Sequence, residues 1–405
     1  MTVPENQEPV SPSALPEQEL NLEKEERKRR TILLILLVLL SLLCCVGYFI
    51  VRYMVKPQPI TQIMPIINQA VSYPPTYKFA ILGVDKPLGV ALSPDGQRIY
   101  VTESGGERLI KMFDRQGKLL NSFAPPGTNK SNRSPTYIAI DSGGRVFVTD
   151  LYNGIIDIFD ADGNSLDAII DQDMTLSKFV SSQINAPLPA SLTYFYDNIR
   201  RQVFYQPLGQ ATQSFPAPER KEWAPLGVRF AKNGDLLVTN LVAGKHGVLI
   251  FPAADIQTPM DKFNPQVRQF GAEGQGSGQL SFPNSAVTDS KGNYFVADGN
   301  NARVSFWTAD LMYRSFFGFG SAESALNLPR GMWMDPRNHL HVADAVGSVV
   351  RVYDVSVPEP AFLYDFGLIG NSDGQFSYPN DVCVDNFGTV YIADRENNRI
   401  SIWSY

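Results

Sequence analysis

The chain is poor in cysteine, poor in histidine and without any excess of basic charge, and each shortage excludes something. It has three cysteines in 405 residues. Cys44 and Cys45 fall in an apolar run and Cys383 in an expected strand, so no disulfide framework is implied. With three histidines and no nucleophile-elbow motif, no Ser–His–Asp arrangement can be assigned, and three protein ligands for a catalytic zinc are not evident. A net charge of −6 argues against nucleic acid as a partner, since phosphate recognition needs a concentrated basic surface. What is plentiful is turn chemistry: 31 Gly and 29 Pro, beside an apolar fraction of 44% and a charged fraction of 19%, suit a turn-rich globular β protein.

The N-terminal segment reads as an anchor. Residues 1–23 are rich in Pro and Glu, bury little and are expected to be disordered. The basic run "KEERKRR" (24–30) leads into "TILLILLVLLSLLCCVGYFIV" (31–51), whose 21 uncharged residues match the length of a transmembrane helix. The apolar run is longer than that of a cleaved signal peptide and lacks its small-residue cleavage site, so the expectation is a signal anchor. Five Lys and Arg at positions 24–30 precede the span, against Arg52 and Lys56 after it. The positive-inside rule then leaves residues 1–30 cytoplasmic and everything beyond 52 outside the plasma membrane. Residues 52–76, with five prolines, read as a semi-rigid stalk.

Beyond the stalk one phrase recurs: Pro, two residues, a strand, a Gly or Asn turn, then a β-rich strand closing on Asp, Glu or Asn. The copies begin at Pro87, Pro135, Pro225, Pro283, Pro329 and Pro379 and close at Glu103, Asp150, Asn240, Asp298, Asp344 and Asp394. The offset from Pro to closing residue is 15 in five copies and 16 in the first, where the turn holds one more residue. A third strand follows each copy ("LIKMFD", "IIDIFD", "VVRVYD") and a fourth usually completes it ("KLLNSF", "AFLYDFG"). Four-stranded units of roughly 45–50 residues are the signature of a β-propeller.

The phrases resemble NHL repeats. The resemblance rests on "DGQFSYPNDVCVD", on the strand pair "VYIADRENNRI", on "GQLSFPNSAVTD", and on Asn338-His339-Leu340 itself; it covers residues 77–405. It implies an all-β fold, a six-bladed NHL-type propeller behind an N-terminal transmembrane helix. The last copy has only three strands, and "YKFAILG" (77–83) is expected to pair with Ile400–Trp403 and close the ring, which leaves few unpaired edges. Between Asp150 and Asn240 the sequence is irregular: a helical start, then an aromatic hairpin "LTYFYDNIRRQVFYQ". Residues 172–219 therefore read as an insertion, in preference to a degenerate seventh blade.

The two residues after each Pro should line the mouth of the central channel. Asn284, Arg330, Asn380 and Asp381 form a polar patch there, with Tyr137 among the remaining, mostly small or apolar positions. Such a patch suits a peptide carboxylate or a sugar; the alternative is an Arg–Asp pair with Asn turns at the rim. Related propellers include peptide-amidating lyases, lactonases and streptogramin lyases, which usually place metal ligands, often His, around this mouth. No post-Pro position here is His, so no catalytic residue, metal ligand or cofactor is assigned, though a metal at the mouth stays open. The once-per-repeat closing residues suit backbone capping better than a metal ring. "DADGNSLDAIID" (160–171) imitates a calcium loop but has Ser165 where the sharp turn needs Gly. "GAEGQGSGQ" (271–279) lacks the Lys-Ser/Thr and the helix of a phosphate loop. His339 and His341 share one face of a strand and are expected to pack between blades. The expectation is a membrane-anchored extracellular scaffold that binds protein, peptide or glycan ligands; the alternative is an extracytoplasmic lyase or hydrolase working at the channel mouth.

Overall fold

Each copy of the phrase folds as an antiparallel meander, and its Pro and closing residue lie opposite each other. Pro87 faces Glu103, Pro135 faces Asp150, Pro225 faces Asn240, Pro283 faces Asp298, Pro329 faces Asp344 and Pro379 faces Asp394. The register shifts directly after each of these prolines. A β-bulge at that point re-aims the next side chains, and Pro, which has no N–H to give a ladder, is tolerated there. The extra residue of the first copy is absorbed in its turn, Ser93–Gln97, without disturbing this pairing.

The computed structural model describes residues 27–37, 39–41, 43, 44, 48 and 73–405, the last range without 187, 189–191, 221, 258 and 323. The chain divides into two compact units, Met1–Ile67 and Asn68–Tyr405. In the first unit the described residues are helical and exposed. The expected span at 31–51 lies partly outside the described residues, and the tail at 1–23 and most of the stalk lie wholly outside them. Among the described residues no helix is long and apolar enough to cross a membrane.

The second unit is built of antiparallel sheets, apart from one short parallel pair, Ala272–Glu273 with Gln279–Leu280. Six of them begin with the strands Pro87–Leu92, Pro135–Ile140, Pro225–Phe230, Pro283–Thr288, Pro329–Met334 and Pro379–Val384. Each of these inner strands packs against the next, and Pro379–Val384 packs back against Pro87–Leu92, so the cycle closes. The alternation of each strand feeds the junctions on both sides. Between each neighbouring pair of sheets lies one apolar cluster, such as Phe147, Ile156, Val228, Leu236 and Phe251 between the second and third. The other five junctions are filled in the same way. The fourth strand of the last sheet is Thr76–Ile81, antiparallel to Arg399–Ser404 with Tyr77 opposite Trp403 and Ile81 opposite Ile400.

The irregular segment folds outside this cycle. The second sheet gains a short fifth strand, Met174–Thr175, and the helix Leu176–Ile184 follows. Thr175 caps that helix by accepting from the Lys178 N–H, and Asn185 ends it in the left-handed region at φ 55°. Then comes a three-stranded meander, Leu192–Asp197, Gln202–Pro207 and Gln213–Pro216. Meander and helix share an apolar cluster with the outer strands of the second sheet, including Ile155, Ala168, Phe179, Val203 and Tyr205. The inner strands Pro135–Ile140 and Pro225–Phe230 are in direct contact, so the meander does not come between them.

Candidate functional site

The closing residues are spent on backbone. Glu103 accepts from the Asp85 N–H, Asp150 from Ser134, Asn240 from Ala224, Asp298 from Ser281, Asp344 from Leu328 and Asp394 from Ser377. Each therefore fixes the chain one or two residues before the Pro it faces, where the incoming loop has no ladder partner. Asp298 and Asp394 also hold Arg303 and Arg399 at 2.8 Å. In the calcium-like stretch, Asp160 accepts from the N–H groups of Asp162 and Asn164, an ordinary turn. Among the described residues no three His, Cys, Asp or Glu side chains are grouped so as to hold a metal ion.

At the start of the inner strands, the post-Pro residues tie neighbouring sheets together. Asn380 donates to the Leu88 carbonyl at 2.7 Å, and Asn284 reaches the Pro329 carbonyl at 3.4 Å. Arg330 donates to the Asn284 Oδ1 at 2.8 Å and to the Tyr378 hydroxyl at 3.1 Å. Among the described residues the buried Tyr137 hydroxyl, Ser285 hydroxyl and Arg330 Nε in this region have no hydrogen-bond partner. Burial pushes the Tyr137 hydroxyl up in pKa, and Arg330 and Arg229 ease that shift. The Asn380 amide also acts on it, though outside hydrogen-bond geometry.

Asp381 does not pair with Arg330. Its partner is Arg229, which comes from the inner strand of the third sheet and crosses the channel. Arg229 also donates to the Ile138 carbonyl at 2.9 Å and the Met332 carbonyl at 3.3 Å, and it lies over the Trp333 ring. Asp381 accepts from the N–H groups of Val90 and Val382. Both side chains are buried. Desolvation raises the Asp381 carboxyl, while Arg229 and the two N–H groups lower it. One ion pair thus gathers five of the six inner strands. Sequence reading missed Arg229, though a signal was present. Four residues after each Pro stand Ala91, Ala139, Arg229, Val287, Trp333 and Cys383, among which only Arg229 is charged.

The residue two after each Pro alternates around the cycle: Gly89, Tyr137, Gly227, Ser285, Gly331, Asp381. Each glycine is where the next sheet presses close. A Cβ at Gly89 would meet the Thr136 carbonyl, one at Gly227 the Asn284 carbonyl, and one at Gly331 the Asp381 side chain. The inner strands therefore interlock in pairs, small against large.

His341 packs between sheets, against Tyr405, whereas His339 is buried beside Asp335 of its own sheet. The Tyr364 hydroxyl donates to Tyr405 at 2.9 Å, so Tyr405 can donate to the His341 Nε2 at 2.8 Å. Desolvation lowers His341 to about 4; Asp335 and a backbone hydrogen bond with His339 oppose this, while the charges of His339 and Arg337 reinforce it. The unfolded chain then binds a proton first as pH falls, so stability is lost from the unfolded value near 6.5 down to about 4. The full loss is roughly 3 kcal/mol. Asp167, raised to about 6 by burial, works in the opposite sense over pH 6 to 4. The expected result is that His341→Gln flattens the decline between pH 6.5 and 4, seen as a difference in urea midpoints against the parent chain. Parallel curves would disprove it.

Comparison with known proteins shows likeness to a repeat family, to a curated protein and to solved structures. Residues 376–403 match the NHL repeat family. A stretch of 97 residues, 23% of this chain, is 31% identical to Protein brain tumor of Drosophila melanogaster, of which it covers 9%. Among solved structures, a virginiamycin B lyase from Staphylococcus aureus superposes with a TM-score of 0.50 at 12% identity, covering 81% of this chain and 98% of that one. A streptogramin B lyase structure gives 0.50 at 11% identity, covering 82% and 98%. At such identity the likeness to the lyases is one of fold. The last sheet of this chain therefore matches an NHL repeat, and the unit that carries it shares the β-propeller fold of these structures.

Proposed function

We propose that the chain is a single-pass membrane protein whose six-bladed propeller stands outside the cell and binds protein, peptide or glycan ligands at the post-Pro mouth of its channel. The observation that carries the binding site is the set of unspent buried groups there. The Tyr137 and Ser285 hydroxyls and the Arg330 Nε are desolvated without partners, a cost that a polar ligand would offset. They stand beside Asn284, Asn380 and Asp381, whose own hydrogen bonds hold the rim in place. A peptide carboxylate suits Arg330; a sugar hydroxyl suits Tyr137 and Ser285. The six-blade count is supported by the Gly/non-Gly alternation, because an odd ring would set two large or two small residues side by side.

Anchoring rests on the 21-residue uncharged run at 31–51 and the basic flank before it. Two measurements test this reading. In intact cells, added protease should remove a tag placed after Tyr405, and full protection of that tag would refute the orientation. Ligands recovered by the chain from a random-peptide library or a glycan array should bind at least about tenfold more weakly to Arg330→Ala, as expected for loss of a charged hydrogen bond. Unchanged binding would move the site elsewhere on the propeller.

A further inference from the structure

The opposite end of the channel holds a cavity of about 270 Å³, at the finish of the inner strands and in the turns that follow them. We propose that it is a separate binding site for a small aromatic organic anion, a ring system bearing one carboxylate or sulfonate. Part of the wall is apolar: Phe230, Val287, Trp333, Met334 and Val384. A cavity of roughly 150 Å³ holds a single benzene ring, so this one has room for two fused rings. Trp333 is only partly buried, whereas Trp223, Trp307 and Trp403 are packed away in the junctions. It therefore offers its indole as a stacking surface.

The polar groups select the charge. Two carboxylates line the cavity, and both are occupied by their own turns. Asp289 accepts from the Lys291 and Asn293 N–H groups and the Asn293 amide. Asp335 accepts from the backbone of Arg337 and His339 and from the Arg337 guanidinium. Donors are freer. Arg229, at the floor, uses three N–H groups on Ile138, Met332 and Asp381 out of the five a guanidinium carries. Lys232 is exposed on the rim with no ion pair among the described residues, and the Ser290 hydroxyl accepts from the Asn338 amide while keeping its own proton to donate. A neighbouring depression shares Phe230 and Lys232 with the cavity, so Lys232 stands between two concave surfaces. A ligand that slides a ring against Trp333 and turns an anionic group toward Lys232 and Ser290 satisfies both halves of the site. None of these lining residues is among the post-Pro residues of the mouth.

The test is calorimetric titration of the full-length chain at pH 7 with 2-naphthoate, beside its neutral analogue 2-naphthamide. One saturable site for the naphthoate is expected, with the amide at least about tenfold weaker. Lys232→Glu, an exposed change that leaves the core intact, should weaken naphthoate at least about tenfold by reversing the rim charge, and leave the amide unchanged. Trp333→Phe should weaken both. Equal affinity for the two probes, indifference to Lys232→Glu, or no naphthoate binding at millimolar concentration would each overturn the proposal. Arg330→Ala should leave naphthoate binding intact, which separates failure of this site from failure of the other.

Discussion

Asp381→Ala is expected to destabilise the propeller by about 3–5 kcal/mol, the cost of removing one partner of a buried ion pair. The substitution leaves the Arg229 guanidinium desolvated in the middle of the ring and strips the Val90 N–H of its acceptor. Because Arg229 also holds the Ile138 and Met332 carbonyls, loss of its counter-charge loosens strands in several sheets at once. Thermal unfolding is the measurement, with a midpoint several degrees lower. A second variant separates the ion pair from mere packing. Replacing both partners with apolar residues, Arg229→Met with Asp381→Leu, should recover most of the loss, since no charge is then left unpaired. If Asp381→Ala melts with the parent chain, the pair does not hold the ring.

Gly227→Ala should cost about 3 kcal/mol, at the upper end of what overpacking exacts. The added methyl would collide with the Asn284 carbonyl oxygen and with the Thr239 hydroxyl. A backbone carbonyl in a neighbouring sheet cannot swing aside as a side chain can, and the Thr239 hydroxyl is held by accepting from the Gly227 N–H at 2.7 Å. Gly143→Ala is the control: its new methyl would meet only the Asp141 side chain, at 3.4 Å. It should stay within about 0.5 kcal/mol of the parent chain. Equal melting of the two variants would show that the inner strands are not interlocked as described.

Much of the fold was legible because its determinants are local. The offset from Pro135 to Asp150 or from Pro379 to Asp394 is the register of a two-strand pairing, and a turn between them sets it. The capping role of the closing residues could be read from their recurrence in every repeat. The segment 172–219 was harder. Its helical start and aromatic hairpin were visible, but the third strand, Gln213–Pro216, is short and has no alternation of its own. Its state is decided by pairing with Gln202–Tyr205. The site was legible in part. Asn284, Arg330, Asn380, Asp381 and Tyr137 lie at the inner-strand starts, while Asp381 is joined to Arg229, a single charge in an otherwise apolar strand.

The sequence by itself determined the repeat, the strand register within each sheet, the turn positions and the apolar alternation that builds the junctions, because all of these act over short spans of chain. Only the tertiary structure decided which side chains meet inside the channel. Arg229 and Asp381 are 152 residues apart, and Val90 lies 291 from the carboxylate that receives its N–H. Such contacts are set by the closing of the ring, which brings six strand starts to one axis, and no local pattern encodes which of them will face each other there.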